Sequence, residues 1–131
     1  MPNRTYAFEW LEYSKRNIQA AEILYRENHY TDVIAVELHQ GVEKAFKSLL
    51  ALYGIKIPKT HDLLALVDLI SNSIDLDTKW NDNLLVINDY YQTERYPGPR
   101  YEMPEKAEIE QSLRVANEIH SYVNDIISLN K

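Results

Sequence analysis

"TDVIAVELHQGVEKAFKSLLALYG", Thr31 to Gly54, is the stretch on which the fold turns. Leu38, Val42, Ala45, Leu49 and Leu52 recur at spacings of three and four, which puts them on one face of a helix. The spacing predicts a helix over about Thr31 to Tyr53, with Gly54 in the place of a C′ glycine. Glu37, Gln40, Lys44 and Lys47 fall within roughly an 80° arc on the side away from that stripe. The plain expectation for the arc is a solvated face, with Glu43 and Lys47 as a favourably ordered i,i+4 pair. Val33, Val36 and Ala51 share or border it, however, and a face mixing aliphatic with charged residues often belongs to an interface. An anion-facing or subunit-facing stripe is the sharper expectation.

The same reading extends outward. Leu11, Ser14, Ile18, Ala21 and Tyr25 predict a preceding helix from about Tyr6 to Glu27, ended at Asn28-His29. Ile55 to Lys59, with Pro58, reads as a loop, and Thr60 as the N-cap of a short third helix over His61 to Ser71. Asp75 or Asp77 is expected to cap a fourth helix that runs to about Tyr96, with Trp80, Leu84, Ile87 and Tyr91 along one side and Pro97 as its stop. A fifth opens with Pro104 near N1 and Glu105 in the first turn, and carries Ile109, Leu113, Ala116, His120, Val123 and Ile127. Brief connections between such helices imply an all-α, antiparallel up-and-down bundle of four long helices and one short one.

At 131 residues the chain reads as a single domain, long enough to bury a core. It has no cysteine, which excludes disulfides, cysteine-zinc sites and thiol catalysis. A reducing, cytoplasmic location fits that composition. No signal peptide is expected, because Met-Pro-Asn-Arg-Thr leads straight into an amphipathic segment. No apolar run approaches the roughly 20 residues of a membrane span, so no membrane role is expected. The net charge of -6 is unlike that of a protein that works by wrapping nucleic acid, so any anion site has to be a local basic patch.

Few residues point to chemistry. In "KTHDLLAL", Lys59 to Leu66, His61 and Asp62 open a helix whose free amides favour an anion, although Asp62 there equally suits the helix dipole. His39 and Glu43 are expected to form a surface pair, and His120, on an apolar stripe, to be a core histidine. No two histidines have helical metal spacing, and neither a nucleophile triad nor a phosphate loop is present, so no metal or cofactor is expected. "DYYQTERYPGPRYE", Asp89 to Glu102, gathers Arg95, Tyr96, Arg100 and Tyr101 around two prolines.

With Glu37, Gln40, Glu43-Lys44, Lys47, Thr60-His61-Asp62-Leu63, Leu66 and Arg95-Tyr96-Pro97 in this order, the chain resembles the HEPN family of small prokaryotic helical domains, over roughly Trp10 to Ile126. The resemblance implies a helical bundle, often a homodimer, often encoded beside a minimal nucleotidyltransferase as a toxin–antitoxin pair, and proposed to bind nucleotide or RNA. Its active branch consists of metal-independent ribonucleases, in which an Arg and a His a few residues apart end the helix equivalent to the fourth one here. Arg95 matches that arginine, but the next seven residues, Tyr96 to Glu102, contain no histidine, and Arg100 stands instead. Arginine stays protonated and cannot act as a general base. The resemblance therefore implies a non-catalytic binding module. Arg95 and Arg100 would be its anion contacts, with Lys44 and Lys47 as helpers and Tyr96 and Tyr101 stacking on bases. The alternatives are an endonuclease toxin in which Arg95 acts with a displaced base such as His61, and a purely structural bundle.

Overall fold

The structure, a computed structural model, describes residues 3–95 and 103–129, with the backbone alone for residues 92–95. The described residues form five α-helices: α1 (Arg4–Arg26), α2 (Thr31–Leu52), α3 (Leu63–Ile70), α4 (Asn81–Arg95) and α5 (Lys106–Leu129). A single 3₁₀ turn, Thr78–Trp80, leads into α4. The expected all-α bundle is thus observed.

The chain closes α1 and α2 in the same way. Asn28 and Gly54 take positive φ values of 56° and 71°. Beyond them, the His29 amide donates to the Leu24 carbonyl and the Ile55 amide to that of Leu50, each at 2.9 Å. These are Schellman caps, which satisfy carbonyls that a helix end otherwise leaves open.

α2 is the axis of the bundle and packs on every other α-helix, most extensively on α1. From Ile34 to Leu52 none of its residues is exposed. This corrects the expectation of a solvated arc: α1 covers one side of it, and the α2–α3 connector, residues 53–62, reaches back over another. Backbones meet closely at Gly41, where an added Cβ would lie 2.6 Å from Ile18 Cγ1. Ser14 Oγ donates to the Gly41 carbonyl at 2.6 Å, and Ser48 Oγ to that of Ala7 at 2.7 Å.

Some boundaries and faces differ from expectation. Asp62 rather than Thr60 caps α3, its Oδ1 accepting from the Leu64 amide at 3.0 Å, so the helix starts two residues later than predicted. Asp77 caps the 3₁₀ turn. α5 starts at Lys106, and the Glu105 carbonyl accepts the first helical bond, from Ile109. On α4, Tyr90 rather than Tyr91 completes the buried stripe. On α5, Ser112, Val115 and Ile119 are buried while Leu113 and His120 are only half-buried, so His120 borders the core and is not inside it.

Candidate functional site

The polar centre of the molecule is Glu43, a carboxylate only 5% exposed on α2. A buried charge survives only with partners. Lys47, one turn on and also buried, places Nζ 2.8 Å from Oε2. The other oxygen, Oε1, is 2.9 Å from Nδ1 of His61, delivered by the α2–α3 connector. His39 Nδ1 stands 3.7 Å from that same oxygen, beyond hydrogen-bond range. The His39–Glu43 pair is therefore interior, not the surface pair expected from spacing. His39 is 1% exposed, and burial holds its pKa below the usual histidine value, with Glu43 pulling the opposite way as a lesser influence.

Tyr91, turned aside from the stripe on α4, receives both imidazoles. His61 stacks on it at 4.4 Å between ring centroids and 24° between planes, and His39 lies at 5.4 Å. On the far side, Lys47 Nζ sits 5.7 Å over the Trp10 ring. The His61 side chain remains 52% exposed, so this buried network surfaces at His61.

It surfaces in an open groove of about 390 Å³ between the connector and α4, lined by Lys59, Thr60, His61, Asp62, Asn88, Asp89 and Tyr91. Asn88 braces the groove floor. Its Nδ2 donates to Asp62 Oδ1 at 3.1 Å, and its Oδ1 accepts from the Leu63 amide at 2.8 Å. A neutral His61 that donates from Nδ1 to Glu43 keeps Nε2 as an acceptor.

Of the site residues expected from sequence, the structure brings His61 to the α4 surface one helical turn before Arg95, a rise of about 6 Å along the axis. Lys44 faces α1, where Nζ donates to Asn17 Oδ1 at 2.8 Å, and Lys47 is buried against Glu43, so neither lines the groove. Tyr96, Arg100 and Tyr101, and the side chain of Arg95, lie outside the described residues. Sequence reasoning missed Lys59, Asn88 and Tyr91 as groove residues, and Glu43 as its anchor. Only the i,i+4 pairing of Glu43 with both His39 and Lys47 hinted at the last. Among the described residues no cluster of His, Asp and Glu is arranged to hold a metal ion, and no helix is long and apolar enough to cross a membrane.

A sequence model of the HEPN domain matches residues 7–126, nearly the whole chain. The chain belongs to the HEPN family. This HEPN chain is 24% identical over 139 aligned positions to "Putative toxin MJ1304" of Methanocaldococcus jannaschii, with 95% of this chain and 90% of that protein covered. Its fold matches the crystal structure of TT1696 from Thermus thermophilus with a TM-score of 0.80, at 25% identity and covering 91% of this chain and 96% of that one. It also matches ST0689, an archaeal HEPN homologue, with a TM-score of 0.74 at 20% identity over 92% and 97% of the two chains. The second of these likenesses speaks for the HEPN fold alone.

Proposed function

We propose that this chain is the non-catalytic, phosphate-binding member of a HEPN toxin–antitoxin-like pair: a homodimer that holds nucleotide or RNA and engages a minimal nucleotidyltransferase. Family membership and an archaeal relative whose name carries the word toxin support the general class. The observation that carries the binding reading is the position of His61, anchored at Nδ1 by buried Glu43 and stacked on Tyr91 one turn before Arg95. In this reading Lys59 and Arg95, with Arg100, meet phosphate, and Tyr96 and Tyr101 stack on bases. Lys47 acts only indirectly, by holding Glu43.

The test is an RNA binding and cleavage series in EDTA, wild type against Arg95→Ala/Arg100→Ala. Weaker binding with a shallower salt dependence is expected for the variant, because fewer counterions are released, and no cleavage by the wild type. Equal binding by both proteins refutes the groove. Light scattering should give about twice the 15.4 kDa chain mass, and a monomer at micromolar concentration refutes the dimer.

One observation favours a second reading. A buried carboxylate that orients an imidazole and leaves Nε2 as an acceptor is the arrangement of a general base, which arginine cannot supply. Cleavage in EDTA that is lost in both His61→Gln and Arg95→Ala would select a ribonuclease over the binding module.

A further inference from the structure

We infer that the groove between the connector and α4 selects guanine among the nucleobases, with Asp62 as the residue that reads the base; this rests on the nucleotide-binding reading above. The starting point is how Asp62 is held. Both of its hydrogen bonds fall on Oδ1, from the Leu64 amide at 3.0 Å and from Asn88 Nδ2 at 3.1 Å. Asn88 is itself fixed by the Leu63 amide. The carboxylate is therefore set in orientation from two elements, α3 and α4, while Oδ2 has no partner among the described residues. A carboxylate oxygen is an acceptor only, with capacity for two donors.

Beside it stands His61, which Glu43 and Tyr91 keep from turning. A half-exposed, immobilised ring next to an immobilised acceptor offers a base a surface to stack on and an edge to bond with. Charge sorts the two ends of a nucleotide along the groove. Asp62 repels phosphate, whereas Lys59, earlier on the connector and also lining the groove, attracts it. The base is thereby assigned to the Asp62 end. A volume of about 390 Å³ lies within the usual range for small-molecule pockets.

The four bases then separate by the groups they present. Guanine alone carries two adjacent donors, N1–H and the N2 amine, on its Watson–Crick edge. On that edge adenine and cytosine each set a ring-nitrogen acceptor directly beside their amine. Uracil flanks its one N–H with two carbonyls. Against an acceptor-only oxygen, each neighbouring acceptor is repulsive, and only guanine avoids it.

The experiment is calorimetric titration of the full chain with GMP, AMP, CMP and UMP at one salt concentration, for wild type and Asp62→Asn. Asparagine keeps the Oδ1 acceptor and ranks with aspartate as an N-cap, so the variant is expected to retain the fold. GMP should bind wild type more tightly than the other three by roughly tenfold or more. In Asp62→Asn that preference should vanish, while AMP affinity is held or slightly improved by the loss of a negative charge. Equal affinities in wild type, or a GMP preference that survives Asp62→Asn, overturn the guanine inference and leave the nucleotide reading standing. Failure of all four to bind overturns both.

Discussion

The two flanks of α2 bury similar polar groups and put them to different use. Between α4 and α5, Tyr90 places its hydroxyl 2.9 Å from buried Ser112 Oγ and 2.8 Å from Oε2 of the exposed Glu108. Burial there pushes its pKa well above the usual tyrosine value. Toward α1, by contrast, the buried hydroxyls of Ser14 and Ser48 end on the Gly41 and Ala7 carbonyls across the α1–α2 contact. The two serine bonds are short and closed, and fix how α1 and α2 sit on one another. Toward α4 and the connector, Glu43 instead joins an interior lysine to a half-exposed imidazole. A closed network reports only on folding, whereas an open one ties the interior to whatever meets the surface.

The largest test of that contrast is Glu43→Ala. It strands Lys47 in the core and frees His61, and should cost about 3–5 kcal/mol in urea unfolding. A loss under 1 kcal/mol would show that the network is not anchored as described. Gly41→Ala probes the close contact of α2 with α1. The added methyl meets Ile18, so a loss of about 1–3 kcal/mol is expected despite the better helix propensity of alanine. Ser48→Ala removes a closed bond on the α1 flank and should cost about 1 kcal/mol while leaving nucleotide binding unchanged. Altered binding there would erase the distinction between the flanks.

The last effect is a slope. His39 and His120 both have folded pKa values lowered by burial. Between the folded and unfolded values the unfolded chain holds more protons, so stability rises with pH through that window. It should therefore fall as pH drops below the ordinary histidine value of about 6.5, and the loss should be smaller in His39→Leu. Denaturation midpoints on either side of that value check this, and an equal pH dependence in the two proteins counts against it.

Helix number, order and most caps were legible because periodicity and cap chemistry are local. Thr60 and Asp62 are both good caps, and only the bond to Leu64 decides between them. Tyr90 and Tyr91 are neighbours about 100° apart, too close for a stripe to sort at its edge. The polar arc of α2 read as solvated because one helix cannot show what its neighbours cover. The site was half legible. His61 stood out at a helix start and Arg95 through family resemblance, but the anchor at Glu43 and the stacking on Tyr91 are made by chain reversal, which leaves no periodic mark.

The position of α2 has a consequence for measurement. An element packed on every other helix cannot open while they stay in place, so its central amides, around Val42 to Leu49, should exchange with solvent hydrogen only through global unfolding. Their exchange rates would then serve as a built-in gauge of whole-molecule stability, against which local opening of the connector near His61 can be read in one experiment.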